Sequence, residues 1–315
     1  MTGKPSMQHQ VQQVLKAIEQ VVLGKSHQIR LAASCLFAGG HLLIEDLPGM
    51  GKTTLSHALA NVLSLGYRRV QFTSDMLPAD LIGISIFNKT TQSFDFHKGP
   101  LFSQLLLADE INRASPKTQS ALLESMAERQ ISVEGNTYKL PKPFFVIATQ
   151  NPVDQSGTFP LPESQLDRFM MRISLGFPDA SAEKRMLLEQ GEQAQVLEGL
   201  SALMTVDDLL EMQRAVQQIH VSDALLDYLL ALVNETRSDR RYPNPLSPRA
   251  TKMLLSATRA WAFIDGRDFA TPQDLQAVLP SVAEHRLRSS LEISSSGDGQ
   301  LSARLLSQVD PDQAA

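Results

Sequence analysis

The segment that most narrows the possible folds runs from His41 to Leu65. Here the apolar stretch His41 to Glu45 leads into Asp46-Leu47-Pro48-Gly49-Met50-Gly51-Lys52-Thr53-Thr54 and then into an apolar helical pattern. A strand, a tight glycine-bearing loop and a helix in that order make a cradle for phosphate, because Gly49 and Gly51 let successive backbone amides approach and point at phosphate oxygens. Lys52 is spaced to reach the terminal phosphates and Thr53 to hold a magnesium ion, with Pro48, Met50 and Thr54 completing the loop. Against the strict pattern Gly-x-x-x-x-Gly-Lys-[Ser/Thr], Asp46 stands where the first glycine would be, while Pro-Gly-x-Gly-Lys-Thr-Thr is intact.

The surrounding sequence supports a parallel α/β sheet. Tyr67 to Thr73, Gln104 to Ala108, Phe144 to Thr149 and Met171 to Leu175 are further short runs whose apolarity is continuous rather than alternating, as expected of strands buried on both faces. Two segments alternate instead: Ile84 to Phe87 with Ser93 to His97, and Ile131 to Glu134 with Thr137 to Leu140 around Gly135-Asn136, so both read as inserted hairpins. An amphipathic helix through Val11, Val14, Leu15, Ile18 and Val22 opens the chain and should end near Gly24. After Phe177-Pro178 the strand signals stop and capped helices follow, with helix starts at Thr205 and at Thr271-Pro272 and one apolar stripe through Ala250, Met253, Leu254, Ala257 and Trp261. The expected organisation is an α/β nucleotide-binding core over 1–178, a smaller all-helical domain over 179–292 and a disordered tail over 293–315.

Composition removes several function classes. The 315 residues are 43% hydrophobic and 20% charged, ordinary for a globular chain able to bury a core. A net charge of −5 argues against a broad basic face for nucleic acid, and nucleic-acid partners are not expected. Cys35 is the one cysteine and lies in an apolar run, so a buried, reduced thiol is expected. The seven histidines lack the i, i+4 spacing of a metal site. No stretch reaches the ~18 apolar residues of a membrane span, and Met1 to Gln10 has no signal-peptide core, so a cytoplasmic location is expected.

Two further strand ends carry chemistry. Leu105-Leu106-Leu107-Ala108 runs into Asp109-Glu110, and strand alternation points the two carboxylates to different sides, one to serve magnesium through water and the other to orient and deprotonate an attacking water. Phe144 to Thr149 ends in Gln150-Asn151-Pro152, placing the Asn151 amide at the sheet edge where ligands of open α/β folds bind. Asn151 is suited either to positioning water or γ-phosphate or to making a turn before proline.

In order along the chain, the phosphate loop, Leu107-Ala108-Asp109-Glu110-Ile111-Asn112-Arg113-Ala114, Ala148-Thr149-Gln150-Asn151-Pro152, Leu161-Pro162-Glu163-Ser164-Gln165-Leu166-Asp167-Arg168-Phe169 and Ser247-Pro248-Arg249-Ala250 closely resemble the MoxR family of AAA+ ATPases. The resemblance spans about Val21 to Leu287. It implies an AAA+ core with hairpin insertions and a helical lid, using ATP and Mg²⁺. Lys52 and Thr53 match the Walker A residues, Asp109 and Glu110 the Walker B pair, Asn151 the first sensor, Arg168 the arginine finger given to a neighbouring subunit, and Arg249 the second sensor on the lid, acting on its own or the adjacent nucleotide. Val22, Leu23 and Gly24 match the segment beside the adenine. The resemblance also implies a homo-oligomeric, hexameric ring with chaperone-like action on a protein client, often one with a von Willebrand A domain. The competing readings are a nucleic-acid-dependent or magnesium-chelatase-like motor subunit and a non-hydrolysing nucleotide-binding scaffold.

Overall fold

The apolar runs become the strands β1 (Leu42–Glu45), β2 (Tyr67–Gln71), β5 (Leu105–Asp109), β8 (Phe145–Gln150) and β9 (Met171–Ile173), all parallel, in the order β2-β5-β8-β1-β9. The two alternating segments form separate antiparallel hairpins, β3 (Gly83–Asn88) with β4 (Ser93–Lys98) and β6 (Gln130–Val133) with β7 (Asn136–Lys139). The structure, a computed structural model, describes residues 6–152, 157–188, 192–288 and 299–311. The helices are α1 (Met7–Glu19), α2 (Ser26–Phe37), α3 (Lys52–Val62), α4 (Pro78–Ile82), α5 (Pro116–Glu128), α6 (Glu163–Leu166), α7 (Ala180–Leu188), α8 (Glu192–Glu198), α9 (Val206–Gln218), α10 (Asp223–Ser238), α11 (Pro248–Ile264), α12 (Pro272–Leu287) and α13 (Gln300–Gln308). No helix among the described residues is long and apolar enough to cross a membrane.

Strand alternation splits the interior into two cores, one on each face of the sheet. Leu42, Ile44, Leu105, Leu107 and Ile147 face the core built with α1, α2 and α3, whereas Leu43, Leu106, Ala108, Val146 and Ala148 face Leu122, Leu123 and Met126 of α5. The first core continues into the helical part through Leu209, Met212, Leu254 and Trp261, and Phe37 of α2 meets Phe263 of α11 edge-on at 6.3 Å. The lid is therefore seated on the core through apolar surface as well as through its linker. Cys35 lies fully buried in that core, its thiol donating to the His41 carbonyl at 3.3 Å, and burial pushes its pKa up.

Two expectations are corrected. The opening helix stops at Glu19 rather than near Gly24, leaving Val21 to Gly24 as a connecting turn with Gly24 at φ +69°. The tail expected to be disordered over 293–315 contains α13, which packs against α10 and α12 with Ser302 and Leu305 buried; residues 293–298 and 312–315 lie outside the described residues. Leu301 and Leu305 recur at helical spacing, and the buried Glu284 carboxylate accepts from the Ser302 amide at 2.8 Å and from Arg288 Nε at 2.9 Å. The Tyr242 hydroxyl donates to Gln308 Oε1 at 2.6 Å. Serines and glycines masked this short amphipathic element, and tertiary contacts stabilise it.

Deleting residues 299–315 should expose apolar surface on α12 and leave Glu284 with fewer donors. A loss of roughly 2 kcal/mol from the leucines alone corresponds to a fall of about 5 °C in the unfolding midpoint, readable by calorimetry. An unchanged midpoint would show that α13 adds nothing to the lid.

Candidate functional site

The C-terminal ends of β1, β5 and β8 lie side by side, with Glu45 in register with Gln150 and Ala108 with Ala148. The loop after β1 passes through left-handed backbone at Gly49 (φ +82°) and Gly51 (φ +88°), and a Cβ at either position would meet nothing within 4 Å. Conformation rather than crowding by the protein requires glycine there, and the open side is a cradle that phosphate can enter. Lys52 begins α3. Its Nζ donates to the Asp46 carbonyl at 2.6 Å, and burial lowers its pKa against the opposing pull of Asp46, Asp109 and Glu110. Facing it is a pocket of about 370 Å³ walled by Pro48, Gly49 and Gly51 to Thr54 on one side and by Arg69, Gln71, Asp109 and Glu110 on the other.

Asp46, the departure from the strict loop pattern, has a structural task. Its buried carboxylate accepts from the amides of Leu47 at 3.0 Å and Gly176 at 2.7 Å and from the Ser174 hydroxyl at 3.2 Å. A glycine would leave those donors without this partner. The phosphate loop is thereby tied to the chain that leaves β9 for the lid.

The acidic pair is arranged differently from the alternation expected. β5 ends at Asp109, and Glu110 turns into left-handed backbone (φ +56°), so both carboxylates line the same pocket instead of opposite sides. The physical reason lies on β8: the Thr149 hydroxyl donates to Asp109 Oδ1 at 2.6 Å and accepts the Glu110 amide at 2.9 Å, holding the strand end in its turn. Asp109 Oδ2 takes both Arg69 Nη2 at 2.6 Å and Arg69 Nε at 3.2 Å. Glu110 Oε2 accepts from Gln71 Nε2 at 2.8 Å and pairs with Arg113 Nε at 2.7 Å. Sequence reasoning missed Arg69, Gln71, Arg113 and Thr149. The available signal was Arg69 and Gln71 two residues apart on β2, which puts them on one face, with Gln71 in register with Asp109.

A hydroxyl from Thr53 together with carboxylate oxygen is a hard-oxygen donor set suited to Mg²⁺. Asp109 is itself held by Arg69 at 2.6 Å and by Thr149 at 2.6 Å. Beside the loop a second cavity of about 150 Å³ is walled by Val22, Leu23, Met50, Pro178 and Met186, an apolar setting for a flat base. Gly24 does not line it; a Cβ there would stand 2.9 Å from that of Ala182, so the glycine lets α7 close over the cavity. Asn151 follows β8 directly, half-buried, and lines neither cavity.

Arg168 and Arg249 are brought together elsewhere. Both line a pocket of about 230 Å³ that also has His41, Arg129, Met170 and Met253 in its wall. His41 precedes β1 and the phosphate loop follows it, so this pocket stands at the opposite end of a four-residue strand, roughly 13 Å away along the sheet. Arg168 donates from Nη1 to the Leu123 carbonyl at 2.8 Å, and among the described residues its buried Nε has no hydrogen-bond partner. The adjacent Asp167 does not pair with Arg168; it turns to the lid, taking Arg286 Nε at 2.8 Å and the Ser247 hydroxyl at 3.2 Å, with Arg249 at 3.9 Å.

Residues 41–171 match the family described as the ATPase family associated with various cellular activities, and residues 234–304 match the AAA lid domain. The chain is 42% identical over 270 residues to the Bacillus subtilis protein YeaC, covering 86% of this chain and 84% of that one. It is 36% identical to Chaperone MoxR1 of Mycobacterium tuberculosis (89% and 76% covered) and 31% identical to Protein MoxR of Methylorubrum extorquens (86% and 85%). A crystal structure of a Cytophaga hutchinsonii protein assigned as an ATPase superposes with TM-score 0.85 at 36% identity, covering 96% of this chain and 95% of that chain. Parallel sheet, hairpin insertions, phosphate loop and seated lid, together with relatives matched over most of their length, place the chain in the MoxR family of AAA+ ATPases.

Proposed function

We propose that this chain hydrolyses ATP with Mg²⁺ in a homo-oligomeric, hexameric ring and uses the cycle to remodel, assemble or activate a protein partner in the cytoplasm. One observation carries the reading: the phosphate loop and the arginine pocket lie at opposite ends of β1, an arrangement that supports a site completed by residues of an adjacent copy. The amides after Gly49 and Lys52 bind the phosphates, while Val22, Leu23 and Met50 receive the base. Thr53 and Asp109 would hold magnesium, which would supply charge neutralisation on the phosphates when bound. Glu110 orients the attacking water and accepts its proton, Asn151 positions the water or γ-phosphate, and Arg168 with Arg249 from the neighbouring copy stabilises the charge of the transition state. The similarity to Chaperone MoxR1 and the net charge of −5 favour a protein client over nucleic acid, with von Willebrand A domain proteins as the client class.

Sedimentation of the purified chain at micromolar concentration should show larger species with a non-hydrolysable ATP analogue and Mg²⁺ than without nucleotide, since ATP bridges the subunits. Duplex or single-stranded DNA should leave ATP turnover nearly unchanged at physiological salt. A monomer under both conditions overturns the ring, and a salt-sensitive stimulation by DNA moves the motor reading to first place.

A further inference from the structure

The pocket that holds Arg168 and Arg249 contains a third guanidinium, from Arg129, which no motif singled out. Arg129 caps the C-terminus of α5 in left-handed backbone (φ +54°), a position where glycine or asparagine is usual and an arginine is uncommon. Among the described residues its hydrogen bond is a single, exposed one of 3.2 Å from Nη2 to the Gly39 carbonyl, so most of its donors are uncommitted. Among the described residues that wall the pocket there is no carboxylate. Asp167 is the acid beside it, and that carboxylate is engaged by the buried Arg286 at 2.8 Å before it reaches Arg249 at 3.9 Å. Burial first, and then the Arg129 charge, hold the His41 pKa at about 4, so the imidazole stays neutral and adds no cation of its own. Among the described residues, three arginines meet in this pocket, the Arg168 Nε is buried without a hydrogen-bond partner and no carboxylate stands in the wall, a setting suited to a multiply charged anion.

We propose that Arg129 is a third arginine acting in trans, delivered together with Arg168 and Arg249 onto the triphosphate held by a neighbouring copy of this chain. The proposal rests on the reading that Arg168 acts across the subunit interface. Its chemistry is electrostatic: the fork of Arg129 donates to phosphate oxygens on which charge gathers, and no bond to it forms or breaks. Release of the weak bond to Gly39 frees it to do so.

Arg129→Asn tests this without forcing the backbone, because asparagine tolerates the left-handed conformation. The variant should melt with the wild type and bind a fluorescent ATP analogue as tightly in the unassembled subunit, while ATP turnover falls about 10- to 100-fold, the range of a charge-assisted contact; Arg129→Lys should lie between. Mixing then assigns the side of the interface. An equal mixture of Arg129→Asn with Glu110→Gln should regain activity, since about one quarter of interfaces hold every group, whereas Arg129→Asn mixed with Arg168→Ala should not, since every donor lacks one arginine. Turnover of Arg129→Asn equal to wild type, or recovery in the mixture with Arg168→Ala, overturns the proposal. Failure of Arg168→Ala to complement Glu110→Gln is a separate result: it overturns the trans reading itself, and this proposal with it.

Discussion

Arg168→Ala and Glu110→Gln should each lower ATP turnover by about 10³-fold or more, and an equal mixture of the two should regain a substantial part of it. In the proposed function the first variant removes the cation assigned to neutralising the transition state, and the second the carboxylate assigned to taking the proton of the attacking water. In a cyclic ring assembled at random, about one quarter of interfaces place an intact Glu110 in the Arg168→Ala subunit opposite an intact Arg168 from its Glu110→Gln neighbour. The geometry behind this is the length of β1: Arg168 lines a pocket at its start and Glu110 a pocket beyond its end. The measurement is steady-state turnover of mixtures in which mass analysis verifies mixed rings. Turnover that stays at the level of the single variants in such rings would return Arg168 to a structural role, donating to the Leu123 carbonyl.

Lys52→Ala should abolish tight nucleotide binding, whereas Glu110→Gln should retain it. Lys52 is the cation that faces the phosphate cradle from α3, and losing a charge-assisted contact of about 2–3 kcal/mol weakens binding roughly 100-fold. Its lowered pKa reflects burial in a loop whose carboxylates are Asp46, Asp109 and Glu110, and phosphate adds further negative charge to hold the ammonium. Glu110→Gln keeps a carbonyl oxygen to accept from Gln71 and leaves Asp109, Thr149 and the loop untouched. Titration with a fluorescent ATP analogue separates the two variants. Equal losses of affinity would contradict the division into binding by Lys52 and hydrolysis by Glu110.

The same residues show how much could be read before folding. Lys52 and Thr53 are legible because strand, loop and helix follow one another within a few residues, and Asp109 and Glu110 because they end a continuous apolar run. The relation between Asp109 and Glu110 was not legible: alternation separates them, and a hydroxyl from Thr149, 40 residues away from Asp109, turns the strand end so that both line one pocket. Arg129 was invisible for a related reason, since nothing near it in sequence marks it as a neighbour of Arg168 and Arg249. In the tail polar composition outweighs the signal of Leu301 and Leu305, whose helix is stabilised by burial against α12 rather than by its own propensity.

By itself the sequence determined a parallel α/β core, a phosphate-binding loop on it and a helical second part, since hydrophobic period and glycine placement act over short range along the chain. Tertiary structure alone decided which charges meet. The strand order β2-β5-β8-β1-β9 sets Arg69 on Asp109 and Gln71 on Glu110, and seating of the lid sets Arg286 on Asp167 and Arg249 beside Arg168. Such pairings depend on how elements far apart in sequence are laid side by side, and no local periodicity encodes that arrangement.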